Sequence, residues 1–248
     1  MSDISGTYIE ADKPISVFGG NDCAFVPSTV SYCDHLEHQL FPVATWGQEF
    51  VAARTQIRNS TPPAENDYWR VIASEDGTSI ATDPSVPGLD GVTLDAGDVV
   101  EVGVNYTFTV DSSAPIMIGQ FLTGHTATDV PWAGAGGDPA YAILPPYEQF
   151  LDYYVFLAPE KYVEDYVVIT HPADLDVLLD GSSVGSNPSC ELEAFSSEWE
   201  ITRCLIPDFT HIIEADESVG ITVWGYGGRV SYGYTGGLNL ESINPVID

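Results

Sequence analysis

Cationic side chains are what this sequence has least of. Only 7 of its 248 residues are Lys or Arg, two of them Lys (Lys13 and Lys161), against 37 Asp and Glu, giving a formal net charge of −30. A nucleic-acid surface is excluded, because phosphate binding requires clustered cations that release counterions. An anionic membrane surface is disfavoured on the same argument. No apolar run reaches the roughly 18 residues a bilayer-spanning helix needs. No window of twelve residues carries a helical apolar stripe; Asp34 to Gln39 has room for one turn at most. No C-x-x-C pair is present, which speaks against a structural zinc site or a dithiol redox motif. A G-x-S-x-G elbow leading a strand into a helix is also missing. The opening MSDISG has neither the basic nor the apolar region of a signal peptide, so a secreted chain of this kind is expected to be a mature or trimmed piece.

What is present points to β structure. Hydrophobic residues make up 44% and charged residues 18%, enough apolar material for one large or two small cores. The 23 Gly and 17 Pro, with 13 Tyr, 10 Phe and 5 Trp, form a turn-rich, aromatic profile. The four Cys fall as two local pairs, Cys23 with Cys33 and Cys190 with Cys204, which suits disulfides in an oxidising compartment. Two sequons, Asn59-Ser60-Thr61 and Asn105-Tyr106-Thr107, are compatible with secretion.

An internal repeat organises the chain. The segment 9–17 (IEADKPISV) returns as 110–118 (VDSSAPIMI) and again as 213–223 (IEADESVGITV), each read as a strand, an acidic turn and a second strand. On this reading Ile15, Ile116 and Ile221 are buried, while Asp12, Ser112 and Asp216 are exposed. Phe41-Pro42 recurs as Leu144-Pro145, and Asp67-Tyr68-Trp69 as Asp165-Tyr166-Val167, so the unit is about 100 residues long. Strands are expected at 50–53, 67–73, 92–94, 98–110 and 115–122, then at 152–157, 165–170, 175–179, 199–206, 209–214 and 219–226. Asp-Gly and Gly-Gly turns punctuate them. The expected fold is all-β: two tandem, structurally similar β-sandwich units. The first spans residues 1–124 with an N-terminal hairpin and a disulfide loop, a Gly-rich connection spans 125–141, and the second unit spans 142–248. A chain that opens and closes on the same element is expected to be part of a longer array, with further domains of the same chain as neighbours.

Several stretches together resemble the N-terminal domain of the IgGFc-binding protein family. They are Asp12 to Gly20, Cys23 to His35 (CAFVPSTVSYCDH), Phe41-Pro42 and Thr45-Trp46-Gly47. Further on come Leu144-Pro145-Pro146 with Gln149-Phe150, Tyr154 to Leu157, Asp165-Tyr166, Leu179-Asp180-Gly181, Ile221 to Tyr226 and Ser231 to Leu238. The resemblance implies an extracellular β module of adhesive or matrix-like multidomain proteins, with no catalytic residues to carry over. The chain departs from the family's pattern at His38 and in its acidity, and nothing in these residues transfers immunoglobulin binding to it.

Site chemistry is sparse. His35 and His38, three apart on a helical turn, have the spacing of a zinc pair, weighed against a surface turn after the disulfide loop. Calcium suits the excess of hard oxygen ligands better, and the best cluster is Asp83, Asp90, Asp95 and Asp98, although the EF-hand order is absent. Trp224, Tyr226, Arg229, Tyr232 and Tyr234 form one candidate binding surface, set against a hairpin whose rings pack inward because alternation buries half of any such strand. Trp132, in the Gly-rich segment 125–137, is another. The expected function is a non-catalytic extracellular or cell-surface binding module that recognises a protein or glycan. The alternatives are a purely structural spacer repeat and a carbohydrate-active enzyme with paired carboxylates. The acidity suits solubility at high salt, or binding of calcium or a basic partner. Intact-mass analysis without reductant should find no free thiol, because closing loops of this size stabilises the fold by roughly 3 kcal/mol; four alkylatable cysteines would refute both pairings.

Overall fold

A computed structural model describes residues 3–244, so the expected ends at 1 and 248 lie outside the described residues. Among these residues there is no α-helix, only strands and four single-turn 3-10 segments. A short ribbon, β1 (Phe18–Ala24) and β2 (Asp34–Gln39), comes first. The first unit then contains β3 (Gly47–Ala52), β4 (Asp67–Ala73), β5 (Thr78–Asp83), β6 (Thr93–Leu94), β7 (Val99–Val104), β8 (Phe108–Phe121) and β9 (Tyr141–Ile143). The second contains β10 (Leu151–Ala158), β11 (Glu164–Pro172), β12 (Val177–Leu179), β13 (Ser182–Ser183), β14 (Cys190–Ala194), β15 (Trp199–Ile206), β16 (Phe209–Tyr226) and β17 (Ser231–Thr235).

Both units are built by one topology. In the first, the leading half of β8 pairs with β3 and β5, and its trailing half with β4 and β9. In the second, β16 does the same with β10 and β12, then with β11 and β17. Each long strand therefore belongs to both layers of its sandwich. Even the irregularity recurs: the register slips between Gly47 and Glu49 on β8, and between Leu151 and Tyr153 on β16. The added strand β14 pairs with β15, with Cys190 directly opposite Cys204. Both disulfides form, Cys23–Cys33 and Cys190–Cys204.

Alternation explains the cores. Along β4, Asp67, Trp69, Val71 and Ala73 are buried while Tyr68, Arg70 and Ile72 are half-buried, as a pleated strand requires. The first core joins Trp69 and Phe108, edge to face at 5.4 Å, to Ile80, Ile116 and Ile118. The second centres on Phe156, Val167, Ile169, Ile213 and Ile221. A third apolar cluster lies between the units and joins Val51, Ala53, Leu122 and Ala142 to Val168, Ile201, Trp224 and Tyr226. Its large ring sits on a glycine: a Cβ on Gly233 would lie 2.2 Å from the Trp224 indole, so no other residue fits there without displacing the ring.

Several sequence expectations change. Segments 110–118 and 213–223 are not hairpins but the bends of β8 and β16, in equivalent places. Ile116 and Ile221 are buried there and Asp216 is exposed, whereas Ser112 is half-buried because its hydroxyl donates to Gln48 and Ala114 carbonyls. Segment 9–17 forms no strand, and Ile15 is 56% exposed, since no sheet edge lies beside it and Pro14 has no N–H to contribute. The expected strand 98–110 is split by a turn, Asp34 to Gln39 is strand β2 and not a helical turn, and β1, β5, β9, β13, β14 and β17 have no counterpart among the expected strands. Lastly, β9, at the start of the expected second unit, pairs with β8 of the first.

Because Trp224 is fully buried and its Nε1 donates to Thr222 Oγ1 at 3.0 Å, Trp224→Ala should lower stability by about 3–5 kcal/mol in chemical denaturation. A loss under 1 kcal/mol would show that the inter-unit cluster contributes little.

Candidate functional site

Three loops that are distant in sequence meet at one end of the molecule: the disulfide loop 23–33, the Gly-rich connection after β8, and the β16–β17 turn. Backbone and side-chain hydrogen bonds fix them to one another. Gly124 N and Thr123 Oγ1 both donate to the Val26 carbonyl, and the Thr126 hydroxyl donates to the Ser31 carbonyl. Gly137 N donates to Gly227 O at 2.8 Å, and Asp138 N to Ser231 Oγ at 3.0 Å. Arg58, buried, donates to the carbonyls of Thr123 and Gly136, on either side of the connection. Its partner Glu65 is fully enclosed. Burial alone would raise the Glu65 carboxyl, yet the Arg58 guanidinium and the N–H groups of Arg58 and Asn59 outweigh it and hold it below its ordinary range. Asp129 ties the middle of the connection to Ser60 and Thr61, and their hydroxyl and N–H groups hold its carboxyl at about 2.

This framework presents an aromatic and cationic stack. The Trp132 indole is 42% exposed. The His125 ring lies parallel to it at 4.5 Å, the Arg229 guanidinium carbon sits 4.3 Å from its centroid, and Tyr32 meets its edge at 5.1 Å. The indole therefore has a buried imidazole and an exposed cation stacked against it. Arg229 is exposed and has no carboxylate partner among the described residues, in a chain where acids outnumber bases five to one. It also holds φ at 135°, a backbone conformation that disfavours any side chain.

The other candidates divide by burial. Trp224 and Tyr226 have no accessible surface and belong to the cluster between the units, so they offer nothing to a partner. Tyr232 and Tyr234 are half-buried and stack at 6.0 Å; Tyr232 donates to Asp165 Oδ1 at 2.6 Å and Tyr234 to the Leu157 carbonyl at 2.7 Å. Asp83, Asp90, Asp95 and Asp98 do not converge: Asp90 accepts from Thr82 N and Ser85 Oγ, Asp95 from Gly77 N, and Asp98 from Asp95 N. Among the described residues no group of three His, Cys, Asp or Glu side chains is placed to hold a metal ion. His35 and His38 stand on strand β2, not on a helical turn, so the two side chains point to opposite faces. Tyr32 and His125 were not singled out in the sequence; their only signals were a ring next to Cys33 and a His opening a Gly-rich segment.

The fold and this site define a class: a disulfide-braced, all-β module of two similar sandwiches with an aromatic loop cluster at one end. The family model described as IgGFc binding protein matches residues 1–225, and the chain belongs to that family. The human (Homo sapiens) IgGFc-binding protein is 26% identical over 249 aligned residues, covering 98% of this chain and 4% of the human protein. The chain thus spans a small fraction of the length of the relative it resembles. No solved structure matches.

Burial raises the Asp165 carboxyl above its ordinary range, and the Tyr232 hydroxyl only partly offsets this. The folded chain therefore binds this proton more tightly than the unfolded one, so its contribution to stability is present at acid pH and is lost as pH rises from about 4 through the raised value. Asp165→Asn should be more stable than the parent at neutral pH and flatten the pH dependence of unfolding across that window. A variant that loses stability equally at pH 4 and pH 7 would contradict this.

Proposed function

We propose that the chain is a non-catalytic extracellular binding module that recognises a protein partner through the loop cluster of Tyr32, Trp132 and Arg229. The observation that carries this is the exposed Arg229 guanidinium, without a carboxylate partner among the described residues, held against the Trp132 indole where three loops meet. Arg, Tyr and Trp are the residues that dominate contact energy at protein interfaces. Loops carry function on β scaffolds because sheets fix their ends and leave their tips free. A sugar would need open indole surface to stack on, and His125 and Arg229 already pack against the Trp132 ring. An acidic or aromatic patch on a protein fits the outward face of Arg229 instead. Family membership and the paired cysteines support a unit carried outside the cell within a larger protein, and the division into 1–124, 125–141 and 142–248 is proposed with 125–141 as the segment that presents Trp132. Tyr232 and Tyr234 support the turn that presents Arg229 from behind.

A hydrolase acting with two carboxylates has less support. A cavity of about 310 Å³ next to the loops is lined by Gln56, Arg58, Glu164, Tyr166 and Tyr226, with Glu164 its single acid.

The test separates binding from folding. Arg229→Gly removes the cation and relieves the positive φ, so the melting temperature should hold or rise, by about 1 kcal/mol of stability. Binding of the full chain to its partner, identified on an array of extracellular proteins and glycans, should fall roughly tenfold or more. Capture of a glycan with unchanged affinity for Arg229→Gly would refute the assignment.

A further inference from the structure

The surface by which the first unit packs on the second has a counterpart on the second unit that stays largely exposed among the described residues. The shared register makes Val51 and Ala53 of the first unit equivalent to Val155 and Leu157 of the second, because Phe50 faces Val110 as Tyr154 faces Ile213. Val51 and Ala53 are each 3% exposed, enclosed by the inter-unit cluster. Val155 is 57% exposed, Leu157 51% and Tyr153 49%, three apolar side chains on one face of β10. Among the described residues β10 pairs only with β16, so its outer edge lacks a strand partner, and only the Tyr234 hydroxyl meets it, accepting from Leu157 N at 3.1 Å and donating to Leu157 O at 2.7 Å. The corresponding edge, on β3, is closed by the second unit, where Gln48 N donates to Glu148 Oε1 at 2.7 Å.

The receiving surface is duplicated as well. Val51 and Ala53 pack in one cluster with Val168, Ile201 and Trp224 on β11, β15 and β16. The positions equivalent to these three in the first unit are Arg70, Val99 and Phe121, with Tyr68 standing where Tyr166 does. All four are at least partly exposed on the outer face of β4, β7 and β8. The interface is therefore head to tail: its two sides are different surfaces, and each molecule has a second copy of each. The second receiving face is only partly open, because Arg70 pairs with Glu101 at 2.7 Å and lies over the Phe121 ring, which stacks on Tyr141 at 4.5 Å.

We propose that the β10 face docks a second copy of this chain through the Tyr68, Arg70, Val99 and Phe121 face of that copy's first unit. Heterologous contacts of this kind do not close on themselves in pairs, so the product is a head-to-tail ring or an open filament. Two features restrain it. Residues near the N-terminus lie on the receiving face, where Asp3 and Ser5 both contact the Arg70 guanidinium, at 3.3 and 3.0 Å, and Gly6 packs on the Gly97 backbone. A net charge of −30 also makes copies repel until salt screens them within a few ångströms, at about 1 M ionic strength. Association is thus promoted by salt and opposed by the N-terminal residues.

Sedimentation equilibrium of the full chain in molar sodium chloride should show concentration-dependent self-association. It should strengthen in Asp3→Ala with Ser5→Ala and weaken at least tenfold in either Val155→Glu or Val99→Glu. These positions are solvent-exposed, and unchanged melting temperatures would confirm folding. Should either variant fail to fold, Leu157→Glu replaces the first and Tyr68→Glu the second. The decisive sample is a mixture of one variant from each side: each alone is monomeric, but the mixture retains one intact pair of surfaces and should form a one-to-one dimer. The proposal is overturned if the parent and the Asp3, Ser5 variant both stay monomeric, if Val155→Glu associates like the parent, or if the mixture remains monomeric.

Discussion

The two long strands β8 and β16 are the constraint from which the architecture follows. Each pairs with one set of strands before its bend and another set after it, so one continuous backbone supplies the central strand of both layers. A sandwich closed in this way does not depend on a loop to set the distance between its sheets. The bend carries the acidic, small or proline residues of 111–115 and 214–218, which tolerate exposure and a break in pairing. Apolar residues on either side fill the two cores. Neighbouring strands then take their register from the bend, and this explains why the slip in pairing appears at the same place in both units.

Scarce cations serve the junction between the units. Arg54, Arg58 and Arg203 are three of the 7 basic residues, and the side chains of all three are buried. Arg203 Nε donates to the Arg54 carbonyl at 3.0 Å across the junction, and its terminal nitrogen pairs with Glu193 at 2.7 Å. Arg54 and Arg58 share Glu65. A buried pair of this kind adds little stability over apolar packing, but removing one partner leaves an uncompensated charge, so it specifies geometry more than it adds strength. Here the geometry is that of the connection bearing Trp132, which Arg58 holds at Thr123 and Gly136. In a chain so acidic, a solvent-exposed cation without a carboxylate stands apart, and Arg229 is one.

Much of the fold was legible in the residues. Alternation in 67–73 and apolar runs at 199–206 and 219–226 read directly as strands, and the cysteine pairs lie where their spacing put them. The repeat was visible for the same reason: equivalent strands need inward-facing residues at the same intervals. Where the reading failed, the information was not local. Segment 9–17 has the pattern of 110–118 yet forms no strand, because a strand exists only if an edge is there to receive it. Trp224 and Trp132 are both rings next to glycines; one is enclosed by the other unit and the other stays in solvent.

By itself, then, the sequence determined the class of structure, the two units, the disulfides and the family, since these rest on local period, composition and residue identity. Only the tertiary structure decided which rings face water and which carboxylates meet. It tied Asp90, Asp95 and Asp98 to turn N–H and hydroxyl groups, buried Trp224 and Tyr226, and brought Tyr32, His125, Trp132 and Arg229 together from three separate loops. The physical reason is that burial and convergence are set by contacts between residues far apart in the chain. Such contacts depend on how the two sandwiches pack, and no window of neighbouring residues contains that information.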